Sequence, residues 1–255
     1  MESPQAMQPL GHQIIYLPSC PSTNSLVLAT PEYLDAHGLV VQTPHQSAGR
    51  GRMGKSFFSF PGEQLLFSTV IHTHLPAQHV PLISLVAGVA VAQALADLYG
   101  LQPELKWPND VLLGGRKVCG ILVESRRGQQ GEQRLVVGIG INCHGDPTQA
   151  PTALQAIVTT VEQETGAAVE TQSLLQAVLR GMQDWVSRLE GGERAALLDA
   201  WRERARLTGR RVRVLGLEPP QTGTVDGLTA EGFLDITLDA GEPHVHHSGE
   251  LQWLD

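Results

Sequence analysis

Three cysteines in 255 residues, Cys20, Cys119 and Cys143, are an odd number at spacings that suit neither a disulfide framework nor a zinc knuckle. A reducing setting, the cytosol, is therefore expected. Basic residues are also in the minority. Eighteen Lys and Arg against 26 Asp and Glu leave a net charge of −8, which removes the broad cationic footprint that nucleic-acid binding needs. The N-terminus carries Glu2 and no basic segment running into an apolar one, so a secretory leader is not expected. Internal repeats and low-complexity linkers are missing as well. So is a clean membrane span. Pro81 to Leu101 is almost wholly apolar, but Gln93 and Asp97 interrupt it and small Ala, Gly and Val dominate. Leu82, Leu85, Val86, Val89, Ala92 and Leu95 recur at helical spacing, which predicts a buried core helix.

What is present suffices for one core and a small appendage, with 42% hydrophobic residues. Asn24 to Ala29 predicts a first helix capped by Ser22 or Thr23. Leu39 to Val41, Leu65 to Ile71 and Leu135 to Ile141 read as buried strands. Gly120 to Glu124 reads as another, paired through a loop at Arg126 to Glu132. Ser173 to Leu189 is amphipathic, with Leu174, Leu175, Val178, Met182, Trp185, Val186 and Leu189 on one side, and Arg194 to Leu207 predicts a further helix. After Gly209 the texture changes to short strands, Val212 to Leu215, Thr222 to Val225, Phe233 to Leu238 and Val245 to His247. Pro219-Pro220, Asp226-Gly227 and Gly241 punctuate them, as in a small β-barrel.

Two segments carry the chemistry. Gly49-Arg50-Gly51-Arg52-Met53-Gly54-Lys55-Ser56 fits the phosphate-loop pattern letter for letter. Its context does not fit. The strand Leu39 to Val41 stops well short of Gly49, and Phe57-Phe58-Ser59-Phe60-Pro61-Gly62 afterwards is aromatic and turn-rich, with no helix start to receive a phosphate. The physical reading is a flexible loop whose three glycines can adopt positive φ and whose Arg50, Arg52 and Lys55 close over an anion. A solvated basic turn would explain the charges but not the alternating glycines. The second segment, Lys106-Trp107-Pro108-Asn109-Asp110, lies about fifty residues further on.

With these motifs the chain resembles the biotin protein ligases, in the short form that lacks an N-terminal DNA-binding domain. Four segments carry the likeness in order: Ser22-Thr23-Asn24; Gln46 through Gly54; Lys106 to Asp110 followed by Lys117-Val118-Cys119-Gly120-Ile121-Leu122-Val123-Glu124; and Val137-Gly138-Ile139-Gly140-Ile141-Asn142. Lys-Trp-Pro-Asn-Asp at this distance from the glycine-arginine loop is the most specific of them.

The resemblance implies an α/β fold of the α+β type, with a mixed-sheet catalytic domain over residues 1–208 and an SH3-like C-terminal barrel over 209–255. It implies ATP-dependent activation of biotin as biotinyl-5′-AMP, then transfer to a lysine of a biotin carboxyl carrier protein, the acetyl-CoA carboxylase subunit, with Mg²⁺ accompanying ATP. Ser22, Thr23, Asn24 and Gln46 would hold biotin, whose polar ureido ring needs partners once desolvated, together with Arg50, Arg52 and Lys117. Gly49, Gly51, Arg52, Gly54, Asn109 and Asn142 would face the nucleotide, and a Gly138 to Gly140 turn would lie near it. Lys117, Arg52 and Asp110 would carry the chemistry. Lys117 neutralises charge where carboxylate meets α-phosphate, and Asp110 either holds magnesium or orients the incoming lysine. Trp107 is equally readable as wall of the site or as core. Two positions depart from the family pattern: Met53 stands where many relatives carry a second arginine, and Phe57 where tryptophan is common.

Alternatives remain open. A lipoate or octanoate ligase-type acyltransferase uses similar adenylate chemistry, and a non-catalytic carrier-binding module sits badly with the retained Lys117 and arginines. A DNA-binding repressor is not expected, because 21 residues before Ser22 are too few for a helix-turn-helix module. A homodimer is compatible with the family, and no membrane association is expected. His72 with His74, and His244, His246 and His247, are spaced for two imidazoles on one strand face. No Cys or carboxylate completes a ligand set, so surface histidines are the expectation and no metal site is assigned.

Overall fold

The computed structural model describes residues 8–60, 62, 64–128, 131–249 and 251–254. Glu2, Pro61 and the tip of the 126–132 loop at 129–130 lie outside them.

A seven-stranded mixed sheet forms the larger part. It is built from β1 (Gln13–Tyr16), β2 (Leu39–Thr43), β3 (Leu65–Thr73), β4 (Glu104–Lys106), β5 (Asp110–Leu113), β6 (Arg116–Arg127) and β7 (Gln133–Ile141), in the order β1-β2-β3-β7-β6-β5-β4. Only β1 and β2 run parallel; the other neighbours are antiparallel. β6 and β7 form the expected hairpin, extended to Arg127 and Gln133, and its register sets Gly120 opposite Gly140. The central strands β2, β3 and β7 are buried nearly throughout, which matches their near-continuous apolar sequence.

The helices are α1 (Thr23–Ala29), α2 (Pro31–Leu34), α3 (Leu82–Tyr99), α4 (Thr152–Gln155), α5 (Val161–Thr165), α6 (Thr171–Glu190) and α7 (Arg194–Ala205). α3 is apolar around most of its surface because most of it is enclosed; Gln93, Asp97 and Leu98 toward its C-terminal end are exposed. It lies among the sheet, α6 and α7, and all six periodic residues read from its sequence are buried. Length and composition alone would let it cross a membrane; here it is the core helix. α6 buries the seven predicted residues plus Leu179 against the same core, each large side chain contributing about 1.5–3 kcal/mol of transfer free energy.

The C-terminal segment forms a second, five-stranded antiparallel sheet, β8 (Arg211–Val214), β9 (Gln221–Leu228), β10 (Leu234–Leu238), β11 (Pro243–His246) and β12 (Leu251–Trp253), ordered β11-β10-β9-β8-β12. It is docked on the larger part. The Trp107 indole N–H donates to the Gly232 carbonyl at 2.9 Å, and a Cβ on Gly232, which sits at φ +81°, would come within 2.8 Å of Leu82 and Leu85 on α3.

Candidate active site

One cavity of about 450 Å³ collects most of the motif residues. Its first wall is the start of α1. Ser22 is the N-cap and accepts the Ser25 N–H at 3.4 Å. The Thr23 N–H donates to Gln46 Oε1 at 2.7 Å, and Ser68 Oγ lies 2.7 Å from the Thr23 hydroxyl and 2.5 Å from Asn24 Oδ1. Asn24 Nδ2 donates to the Leu122 carbonyl at 3.2 Å and to Glu124 Oε2 at 3.0 Å. Ser22, Thr23 and Asn24 are all buried, so this polar corner is satisfied mostly within itself and presents a fixed hydrogen-bonding edge.

The floor is made of glycines. Gly120, Gly138 and Gly140 lie inside β6 and β7, and Gly138–Gly140 is strand interior, which corrects the predicted turn. A Cβ at Gly138 would stand 2.2 Å from Asn24 Oδ1, and one at Gly140 would stand 2.6 Å from the Phe57 ring. Close approach of side chains from above is what these positions require. The aromatic surface expected of Phe57 is thus a ring laid across two paired strands.

The glycine-arginine loop is a short hairpin. The Gly51 N–H donates to the Lys55 carbonyl at 2.7 Å and the Phe57 N–H to the Gly49 carbonyl at 2.9 Å. A 3-10 turn spans Arg52–Gly54, with Met53 at φ 54° and Gly54 at φ 73°. Residues 55–60 directly after it are not helical, consistent with rejection of the nucleotide-hydrolase reading. The expectation of positive φ holds at Gly54 only among the three glycines. Gly49 is needed instead because a Cβ there would meet the Phe57 carbonyl at 2.7 Å.

Arg50 is held by Glu124 at 2.6 Å and by the Ser25 hydroxyl at 3.0 Å, which ties the loop to α1 and β6. Burial lowers the pKa of Arg52, with Asp110 opposing that shift. A guanidinium remains cationic across the physiological range in any case.

The Lys106–Asp110 segment turns from β4 into β5. Asn109 pins this turn to β6: its Nδ2 donates to the Ile121 carbonyl at 2.8 Å, and the Ile121 N–H returns to the Asn109 carbonyl at 2.9 Å. Asp110 pairs with Lys117 Nζ at 2.7 Å. Trp107 fulfils both readings, being buried in the core and lining the cavity.

The lining therefore carries Arg50, Arg52, Lys55, Lys106 and Lys117 against Asp110 as the one carboxylate among the described residues. In a chain of net charge −8 this is a local concentration of positive charge, suited to polyanions.

Gly49, Gly54 and Asn142 do not line the cavity. Asn142 lies behind it, its Nδ2 donating to the Thr159 carbonyl at 3.2 Å and its backbone N–H to the Val118 carbonyl at 2.9 Å. The histidine expectation also needs correction at one position. His246 is buried at 4% exposure against the Trp107 ring, 5.6 Å between centroids, and burial lowers its pKa. No group of three or more His, Cys, Asp or Glu suited to a metal occurs among the described residues.

Sequence reading missed Ser68, which braces Thr23 and Asn24, and missed Leu215, Gly249, Leu251 and Trp253 of the C-terminal sheet, which close one side of the cavity. Ser68 sits in an apolar strand with no motif around it. The other four lie more than 70 residues beyond the end of the last motif, and no local pattern marks them.

The profile of the Biotin/lipoate A/B protein ligase family matches residues 16–142. The biotin–[acetyl-CoA-carboxylase] ligase of Paracoccus denitrificans is 32% identical over 225 residues, covering 86% of this chain and 92% of that protein. The bifunctional ligase/repressor BirA of Bacillus subtilis (strain 168) is 29% identical over 91% of this chain and 71% of its own length. Among solved structures, the biotin protein ligase from Aquifex aeolicus in complex with biotin and ATP superposes with a TM-score of 0.78 at 26% identity, covering 95% of this chain and 98% of that one.

Proposed function

The chain belongs to the biotin/lipoate A/B protein ligase family, and from that premise we propose that it is an ATP-dependent biotin protein ligase acting on a biotin carboxyl carrier protein. The observation that carries the reading is the single cavity in which a rigid polar corner, a glycine floor and five cations meet.

In the first step a biotin carboxylate oxygen attacks the α-phosphorus of ATP. The new O–P bond forms as the bond to the bridging oxygen breaks, and pyrophosphate leaves with the electron pair. In the second, the neutral ε-amine of the carrier lysine attacks the acyl carbon. The C–N bond forms, the acyl C–O bond to phosphate breaks, AMP takes the electron pair, and one amine proton passes to water.

Ser22, Thr23, Asn24 and Gln46 supply fixed polar groups for the ureido ring, and the glycine floor lets the Asn24 side chain and the Phe57 ring lie close against the sheet. Arg52 and Lys117 stand where negative charge accumulates, and a preformed cation in a partly desolvated site stabilises it without reorganisation. Arg50, held by Glu124, anchors the loop, and Asn109 fixes the turn that presents Asp110. Gly51 lines the same cavity, Gly54 gives the loop its positive-φ turn, and Asn142 braces the strands behind the cavity. Asp110, the one carboxylate of the lining among the described residues, would hold the Mg²⁺ that accompanies ATP, giving up its contact with Lys117. When bound, the ion neutralises phosphate charge.

The same reading divides the chain into a catalytic domain over 1–208 and a C-terminal domain over 209–255, supported by the change from α7 to β8 around Gly209. It takes the cytosol as the setting, supported by three free cysteines. It takes protein and not DNA as the macromolecular partner, supported by the acidic net charge. A homodimer would use an outer strand, β1 or β4, and light scattering on the purified chain reads that state.

The lipoate or octanoate reading is less favoured, because similar proteins are named as biotin ligases. Incubation with Mg-ATP, biotin and a purified carrier domain, followed by intact-mass measurement, tests the choice. Addition of one biotinyl group to the carrier is expected. Labelling of a lipoyl domain by lipoate or octanoate, with the biotin carrier untouched, would refute it.

A further inference from the structure

A second cavity, of about 280 Å³, lies against the first. Arg52, Trp107, Pro108 and Ile121 belong to the linings of both, so the two cavities adjoin at these side chains. The remaining wall comes from the start of α3, from Val123 on β6, and from the 232–233 and 247–248 turns of the C-terminal sheet. Its exposed lining residues, Pro81, His247 and Ser248, mark a mouth formed jointly by the larger part and the C-terminal sheet. Of the residues assigned above to biotin, nucleotide or catalysis, Arg52 alone lines it.

We propose that the second cavity is the channel through which the acceptor lysine of the carrier protein reaches the adenylate, with the carrier domain docked across the mouth. The proposal rests on the biotin-ligase reading and adds the partner's route.

The walls are matched to a lysine stem: Val80, Leu85, Val123, Phe233 and the Trp107 ring offer apolar surface along which four methylenes pack. The charge is matched to the nucleophile required. No carboxylate lines the channel among the described residues, and its ionisable groups are Arg52 from the glycine loop and His247 from the turn after β11. His246 stands beyond the Trp107 ring, and the Asp110–Lys117 pair faces the first cavity. Desolvation and a neighbouring guanidinium both disfavour an ammonium, so an entering lysine is driven toward its neutral, nucleophilic form without a dedicated base. Arg52 stands at the junction, where the amine meets the activated carboxyl.

Two variants narrow the channel from different elements, Val123→Phe on β6 and Val80→Trp beside α3; neither residue lines the first cavity. Three rates are measured for each: pyrophosphate release with biotin and Mg-ATP, transfer of biotin to hydroxylamine as a small amine, and transfer to a purified carrier domain. The first two are expected to stay within about twofold of the parent, while kcat/KM for the carrier falls about tenfold or more. Variants that transfer to the carrier as fast as the parent overturn the channel alone. Equal losses in pyrophosphate release would assign the cavity to the nucleotide and overturn it too. A parent chain that makes no adenylate overturns the biotin-ligase reading, and the channel with it.

Discussion

Gly138→Ala is the sharpest test of how the floor and the polar corner support each other. The added methyl would stand 2.2 Å from Asn24 Oδ1, 2.9 Å from its Cγ and 3.1 Å from its Nδ2, inside contact distance for every one of these atoms. β7 is a central strand hydrogen-bonded to β3 and β6 on either side, so the backbone cannot retreat. Asn24 must move. It then leaves Ser68, the Leu122 carbonyl and Glu124, three hydrogen bonds worth about 1 kcal/mol each in net terms. The conformational gain from replacing glycine returns about 0.4–1 kcal/mol, and overpacking costs about 1–3 kcal/mol. A net loss of at least about 3 kcal/mol lowers the melting temperature by at least roughly 6–12 °C for a chain of this size. Biotin affinity falls with it, because Thr23 is braced through the same Ser68 hydroxyl.

Thermal melting by circular dichroism and calorimetric titration with biotin provide the two readouts. In an Asn24→Ala background the clash has no target, so the added cost of Gly138→Ala is expected to drop below about 1 kcal/mol, a coupling of roughly 2 kcal/mol. A Gly138→Ala protein that melts within about 2 °C of the parent and binds biotin equally well refutes the packing argument.

Other outcomes follow from neighbouring observations. Arg52→Gly is expected to keep part of the adenylation rate while releasing activated biotin, read as biotinylation of unrelated lysines in a protein mixture; retention of the adenylate as tight as in the parent contradicts the role given to Arg52. Lys117→Gln removes a positive charge beside the reacting phosphate and is expected to slow adenylate formation about 10²–10³-fold, measured by pyrophosphate release. His37 accepts the His72 backbone N–H at 2.9 Å, and burial, with His72 and His12 nearby, pulls its pKa down to about 4. The unfolded chain therefore binds this proton first as pH falls, so stability decreases from about pH 6.5 down to about 4 and levels off below. Melting temperatures of His37→Asn across that window are expected to vary less than those of the parent.

Elements with a strong apolar rhythm were legible without coordinates. α3, α6, β3 and β7 appear within two residues of their predicted bounds at each end, because their burial follows directly from spacing. β1, β4, β5 and β12 were missed. They are three or four residues long, and β1 and β4 are the outer strands of their sheet, where one neighbour suffices and little apolar surface is needed. Ser22, Thr23, Asn24, Gln46, Arg52, Asp110 and Lys117 come together as their motifs implied. The glycines proved harder to read, since a strand glycine facing a side chain and a loop glycine at positive φ look alike in sequence; Gly138 and Gly54 are the two cases. The burial of His246 depends on docking of the C-terminal sheet against Trp107, a contact across 139 positions that no local pattern encodes.

The most direct test of the account is mass spectrometry of the purified chain after incubation with biotin and Mg-ATP, alongside lipoate and octanoate as competing acids. Biotinyl-5′-AMP with released pyrophosphate is the expected result. An adenylate formed from lipoate or octanoate but not from biotin, or from none of the three, contradicts it.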